Sequence, residues 1–212
     1  MRMSPPTSAT SQVSRPQART AERREAVLQA ALNVFGQRGY NKGTLAEVAA
    51  RAGMTHAGVL HHFGSKQGLL VALLQYRDRQ EAAEGAEQTR ADARTLLARV
   101  LDTVHTNITR PEVVRAHAVL SGESITQGHP AAPYFREHLA ESRRTIARAL
   151  AEATGRHREE PALTDAASAI IAFIDGLQVQ WLLDPDAVNM PRIVDKVIDQ
   201  FIDGLTIPAG AG

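Results

Sequence analysis

Apolar residues recur along most of the chain at the spacing of amphipathic helices. Between positions 20 and 35 they fall at Val27, Ala31, Val34 and Phe35. Spacings of three and four place these residues on one helical face, and Thr20 is a suitable N-cap. The stretch GQRGY that follows, at 36–40, predicts the end of this helix because Gly39 can adopt a left-handed conformation.

A compact series of helix signals comes next. TLAE at 44–47 is typical of a capping box, in which the threonine and glutamate side chains bond each other's backbone amides. The short helix that begins there ends at Gly53, and Thr55 caps a second short helix. Two short helices joined by a turn form a helix-turn-helix motif, predicted here at 44–63, and a long helix follows at once.

The remaining two thirds of the chain continue the helical pattern, without strand-like alternation or internal repeats. Five further helices are predicted, at about 93–108, 111–125, 129–153, 164–184 and 190–205. The expected fold class is therefore all-α, with about nine helices.

Composition argues against several other classes of protein. Hydrophobic residues make up 43% of the chain but aromatic residues only 4%, which favours helices packed through small aliphatic side chains over a β-sandwich. The lack of cysteine excludes disulfides, thiolate metal sites and cysteine nucleophiles. The longest apolar run, AIIAFI at 169–174, is far shorter than the ~20 residues of a membrane span. With no signal-peptide core at the amino terminus, we expect a cytoplasmic protein.

Charge is distributed unevenly along the chain. Residues 1–75 hold nine basic and three acidic side chains, whereas residues 76–212 hold fifteen basic and twenty acidic ones. A basic amino-terminal third suggests contact with a polyanion. The alternative is a chance asymmetry with a solvated tail.

Three histidines lie close together in the second short helix, at His56, His61 and His62. A metal site would need their side chains to converge, but spacings of five and one spread them around the helix. We therefore expect no metal site here, and no cofactor. In a helix-turn-helix motif the second helix enters the DNA major groove, so these histidines are candidates for DNA contact, with a partly buried structural role as the alternative for His62.

The stretch GYNKGTLAEVAARAGMTHAGVLHHFGSKQGLL resembles the DNA-binding domain of the TetR/AcrR family of bacterial transcription regulators. The carboxyl part, especially HPAAPYF and IDGLQVQWLLDP, looks like the BetI-like branch. The Ser-, Pro-, Thr- and Arg-rich composition of residues 1–19 predicts a disordered basic arm. The resemblance implies a helix-turn-helix domain at 20–66 and an effector-binding and dimerisation domain at 67–207, with a disordered tail expected at 208–212. It also implies a cytoplasmic, nucleoid-associated protein.

The family's DNA-contact positions fall on nine residues of this chain. They are Thr44, Thr55, His56, Ala57, Gly58, Leu60, His61, His62 and Lys66. Thr44 and Lys66 would contact phosphates, which set register without reading sequence. One departure concerns Leu60, where the family commonly has tyrosine. We favour inward packing of this leucine, with contact to a thymine methyl group as the alternative.

The resemblance further implies a small-molecule effector, of unknown identity, bound among the central helices. Candidate lining residues are His105, His117, Glu123, Tyr134, Phe135, Phe173 and Trp181. For each of them an ordinary core role is the alternative. The scarcity of aromatic residues argues against a cage for a quaternary ammonium ion, so the resemblance to BetI does not make choline the effector.

The last two helices, at about 164–184 and 190–205, are expected to form a four-helix homodimer interface, and ordinary core packing is the alternative. A homodimer implies a palindromic double-stranded operator, and repression released by effector is the sign expected by analogy. An enzyme is disfavoured because the nucleotide-binding, hydrolase and metalloprotease motifs are absent. The remaining alternative is a ligand-binding or interaction protein of the same fold whose DNA-binding domain is degenerate.

Overall fold

The computed structural model describes residues 15–91 and 96–206, and all regular structure in those residues is helical. The nine helices are α1 (Arg15–Lys42), α2 (Leu45–Arg51), α3 (His56–Phe63), α4 (Lys66–Ala91), α5 (Leu96–Asn107), α6 (Pro111–Ser124), α7 (Ala132–Thr154), α8 (Pro161–Leu183) and α9 (Met190–Thr206). The all-α prediction with about nine helices is confirmed.

The start of α1 corrects the predicted arm at 1–19. The helix begins at Arg15, five residues before the expected cap at Thr20. Pro16 is compatible with a first helical turn, where its missing N–H has no intrahelical partner to lose, and good helix formers follow it. Residues 1–14, and the predicted tail at 208–212, lie outside the described residues.

The caps of the helix-turn-helix motif form as the sequence predicts. Thr44 Oγ1 accepts from the Glu47 amide at 3.2 Å, while the Thr44 amide donates to Glu47 Oε2 at 2.9 Å. Thr55 Oγ1 accepts from the Gly58 amide at 3.1 Å. At the start of α4, Ser65 Oγ accepts from the Gly68 amide at 2.9 Å. Each cap satisfies an amide that the first helical turn leaves unpaired.

Two hydrophobic cores organise the helices. The first core contains residues of α1, α2, α3 and α4, together with Ala116 and Leu120 of α6 and Phe135 of α7. The second is built from α5, α7, α8 and α9. The reading head (α1–α3 with the start of α4) therefore shares its core with helices of the carboxyl part, and α6 packs along α1.

A break in α1 fixes the junction between the two parts of the protein. Gly39 has φ 74° and ψ 170°, a conformation that other residues rarely adopt. The carboxylate of Glu123, near the end of α6, lies against Gly39 where a Cβ would be. It accepts a hydrogen bond from the Tyr40 amide at 2.5 Å. Glycine at position 39 thus allows α6 to bind the backbone freed by the break.

Replacement of Gly39 by alanine is expected to destabilise the protein by about 1–3 kcal/mol, because the new Cβ combines backbone strain with a clash against Glu123. Urea denaturation measures this change. Gly122→Ala is the matched control, since a Cβ there meets nothing within 4 Å and the helical position favours alanine. Equal stability of the two variants would contradict this account of the break.

Candidate nucleic-acid interface and central cavity

Helix α3 presents one face to the core and the other to solvent. Val59 is fully buried and Phe63 packs beside it, as expected from their spacing. His56, Ala57 and His61 are exposed. The first turn of α3 is therefore small, polar and accessible, as a helix that enters a major groove requires.

The carboxyl end of α3 is held against α1 by Arg24. Its guanidinium donates to the carbonyl oxygen of His62 at 3.1 Å and lies 4.4 Å from the ring centre of Phe63. His62 is half-buried, and its ring meets that of His61 edge-on at 5.7 Å. His61 is thus the more accessible member of the pair, and His62 combines a half-buried ring with a structural backbone contact.

Leu60 does not pack inward, which corrects the favoured prediction for this residue. It is half-buried and belongs to neither hydrophobic core of the described residues. The inward side of α3 is already filled by Val59 and Phe63, and residue 60 follows Val59 by about 100° around the helix. An apolar side chain therefore remains on the flank of the outward face.

Thr44 and Lys66, the two predicted phosphate contacts, differ in their availability. Thr44 is exposed at the start of α2. Lys66 is half-buried: its Nζ donates to the carbonyl oxygen of Asn41 at 3.2 Å and lies 4.5 Å from the ring centre of Tyr40. Burial lowers the pKa of this amine. Lys66 therefore joins α4 to the end of α1, and an ammonium group has three N–H donors, so a phosphate contact would be additional.

The junction around Glu123 gathers further polar groups. His129 is buried, its Nε2 lies 3.9 Å from Glu123 Oε2, and its Nδ1 accepts from the Ala131 amide at 3.2 Å. The rings of His129 and Tyr40 meet edge-on at 5.2 Å. Glu123 is thus a junction residue between α6 and the reading head, and the prediction that it lines the effector pocket is not met by its position.

A cavity of about 340 Å³ opens between α4, α5, α6, α7 and α8. Of the seven predicted lining residues only His117 lines it. The polar residues that sequence reasoning missed are Arg77, Thr103, Asn107, His138, Glu141, Ser142, Thr145, Asp175 and Gln178.

The other predicted lining residues have different roles. His105 pairs with Asp195 of α9 at 3.0 Å, and the Tyr134 hydroxyl donates to Asp78 at 2.6 Å. Phe135 is buried behind His117, with ring centres 5.5 Å apart. Phe173 and Trp181 pack against the second core. Ordinary core packing therefore describes Phe173 and Trp181 better than a role in lining the pocket.

Two of the missed residues carry a signal in the sequence. Arg77 continues the apolar stripe of Leu70, Leu73 and Leu74 in α4, at spacings of three and four. Asp175 interrupts the equivalent stripe of α8. A charged residue on the apolar face of a helix marks a polar site within the fold.

Arg77 fixes the tautomer of the neighbouring His117. Its guanidinium donates to His117 Nδ1 and, at 3.5 Å, to His138 Nε2. Because the guanidinium has no acceptor, the proton of the neutral His117 ring lies on Nε2, which faces Asp175 at 3.8 Å. Burial, with the charge of Arg77 and the nearby His138, holds the pKa of His117 well below its ordinary value. Burial raises the pKa of Asp175.

No group of three histidine, aspartate or glutamate side chains suited to a metal ion occurs within residues 15–91 and 96–206. In α3 specifically, His56 lies at the opposite end of the helix from His61 and His62.

The largely buried His117 ring predicts acid sensitivity. The unfolded chain binds a proton there near pH 6.5, whereas the folded chain resists it, so the free energy of unfolding should fall as the pH drops below about 6.5. His117→Gln, which keeps an acceptor for Arg77, should flatten this decline in urea titrations at fixed protein concentration. His157→Gln, at an exposed loop position, serves as the control. An unchanged pH dependence in the His117 variant would refute the assignment.

Comparison with known proteins agrees with this architecture. Residues 27–73 match the family described as "Bacterial regulatory proteins, tetR family", and residues 93–206 match "BetI-type transcriptional repressor, C-terminal". The second match alone spans more than half of the chain.

Similar full-length proteins are transcriptional regulators rather than enzymes. The regulator TtgR of Pseudomonas putida is 28% identical over 204 residues, covering 88% of this chain and 92% of that protein. The regulator BetI of Paraburkholderia phytofirmans is 29% identical over 185 residues, covering 85% and 92%. A TetR-family crystal structure from Agrobacterium tumefaciens has the same fold, with a TM-score of 0.71, 20% identity and coverage of 85% and 97%. The chain therefore belongs to the TetR family of bacterial transcriptional regulators, with a BetI-type carboxyl-terminal domain.

Proposed function

We propose that this regulator is a homodimeric repressor whose affinity for a palindromic operator falls when a small molecule fills the central cavity. One observation carries the proposal: two helices connect the cavity with the reading head. Arg77 of α4 lines the cavity, and α4 begins at the head. His117 of α6 lines the same cavity, and Glu123 of α6 binds the break in α1.

DNA recognition is assigned to the exposed face of α2 and α3. His56, Ala57 and Gly58 lie in the first turn of α3, nearest the bases, and His61 follows one turn later. Thr44, Thr55 and Lys66 contribute phosphate contacts. Leu60, half-exposed beside this face, would contact a thymine methyl group.

Dimerisation is assigned to α8 and α9. By length and composition α8 is apolar enough to cross a membrane, yet only 28% of its most apolar window is buried within the chain. Among the described residues, Val179 and Leu183 of α8 are exposed by 46% and 82%. A second copy of α8 and α9 would cover this surface, as is typical of the family, and would place two reading heads on one operator.

The mechanism is a two-state switch. An effector in the cavity displaces α4 and α6 relative to each other, the junction at Glu123 shifts, and the two heads lose the spacing of about 34–36 Å that successive major grooves require. A coupling of about 1–3 kcal/mol, which is typical of allostery, corresponds to roughly 5- to 150-fold release.

DNA binding is tested first by fluorescence anisotropy, with the duplex upstream of the protein's own gene and with duplexes selected from a random pool. We expect tight binding that exceeds binding to scrambled DNA and weakens steeply with salt. If neither source yields a preferred duplex, the chain is a binding protein with a degenerate head.

His56→Ala should weaken operator binding by about tenfold or more, since a base contact contributes roughly 1–3 kcal/mol. Binding to scrambled DNA should change little, because phosphate contacts dominate there. His157→Ala, in the loop before α8, is the control. A parallel loss on operator and scrambled duplexes would remove His56 from base recognition.

The double substitution of Val179 and Leu183 by aspartate should convert the dimer into monomers in sedimentation velocity, because charges would be buried at the interface. Ile125→Asp changes a similarly exposed apolar residue, 88% accessible, in the α6–α7 connection, and should leave the dimer intact. A persistent dimer in the double variant would place the interface elsewhere.

A further inference from the structure

The central cavity is lined by a carboxylate on α8 that has no hydrogen-bond partner among the described residues. Asp175 lines it and accepts no hydrogen bond from the described part of the chain. His117 Nε2 approaches its carboxylate only to 3.8 Å, which is too long for a hydrogen bond. The Asp175 carboxylate can therefore accept N–H donors from a bound molecule.

The positive group of the cavity is already engaged. Arg77 donates to the ring nitrogens of His117 and His138, and an anionic ligand would have to compete with both rings for its planar fork of donors. The charge of Arg77 lowers the pKa of Asp175 less than burial raises it. Asp175 is thus only partly compensated by Arg77, and an anion in the cavity would meet its carboxylate.

A second unsatisfied acceptor belongs to Asn107 of α5, which also lines the cavity. The Oδ1 atom of Asn107 is buried and has no hydrogen-bond partner among the described residues. Buried acceptors are normally paired, and leaving one unpaired costs free energy. A ligand with N–H groups would bind Asp175 directly, and would satisfy Asn107 once that side chain turns toward the cavity.

The remaining lining selects the kind of cation. Among the described residues the cavity contains no phenylalanine, tyrosine or tryptophan, and much of its wall is aliphatic, including Val104, Ile171 and Ile174. A quaternary ammonium ion has no N–H group and is usually held by aromatic faces. A volume of about 340 Å³ suits a single ring or a short chain.

We infer that the effector is a protonated primary or secondary amine with a compact apolar body, whose N–H groups bind Asp175 and Asn107. The inference rests on the proposed function, because it takes the cavity as the effector site. The aliphatic wall holds the body of the amine, and the ammonium group lies between α5 and α8.

The test uses matched sets of small molecules in which one hydrocarbon body (hexyl, cyclohexylmethyl or benzyl) carries an ammonium, a trimethylammonium or a carboxylate group. Binding to the full-length protein is measured as the rise in melting temperature without DNA, and by calorimetry. At least one ammonium compound should bind about tenfold or more tightly than its trimethylammonium and carboxylate counterparts, as expected for hydrogen bonds to a charged group.

The variant Asp175→Asn should lose this preference by about tenfold or more. Asp195→Asn is the matched control, because Asp195 is equally accessible, at 46% against 47%, but pairs with His105 outside the cavity. Equal or tighter binding of a trimethylammonium or carboxylate compound, binding that survives Asp175→Asn, or no binding by any set would overturn the inference.

Operator binding, measured separately without any amine, distinguishes the two proposals. If the amine binds in the cavity but the protein prefers no duplex, the repressor proposal fails and the ligand assignment stands. If the protein binds its operator but no amine binds, the ligand assignment fails alone.

Discussion

The contact between the Glu123 carboxylate and the broken end of α1 is the constraint on which the position of the reading head depends. Helix α1 must turn before α2 begins, and the turn leaves backbone groups that need partners. Glu123 reaches them from α6. Glycine is needed at position 39 because a Cβ there would clash with the Glu123 carboxylate. The reading head is thereby held by a residue that belongs to the carboxyl-terminal part of the sequence.

This arrangement gives a short physical route between the two sites. Arg77 lies eleven residues after the start of α4, about 16 Å along the helix, and Glu123 lies six residues after His117, about 9 Å along α6. Both helices are packed into the first core through Leu70, Leu73 and Leu120. A close-packed core transmits a shift of one helix to its neighbours, so a ligand that separates α4 from α6 also acts on the junction.

Local features of this fold were accessible from the sequence. The caps at Thr44 and Thr55 form as predicted because capping depends on residues only three positions apart, and the inward spacing of Val59 and Phe63 follows from the helical repeat. The resemblance to a known family supplied the function, which helical periodicity alone could not.

Features that depend on distant residues were not accessible. Glu123 and Tyr40 are separated by 83 positions, so no local pattern identifies their bond, and Glu123 was assigned to the pocket instead. The pocket prediction chose mainly histidines and aromatic residues, whereas Asn107 and Gln178 line the cavity because of how α5 and α8 pack. Leu60 was expected to turn inward, but Val59 and Phe63 already occupy that side.

The central claim, that Glu123 holds the heads of the dimer in position, is tested most directly by a distance between the heads. The chain contains no cysteine, so Gln37→Cys, at an exposed position of α1, introduces one spin label per protomer. Double electron–electron resonance should give one narrow distance distribution between the two labels. Glu123→Ala should broaden or displace this distribution in protein that remains folded and dimeric. An identical distance distribution in the two proteins would contradict the account.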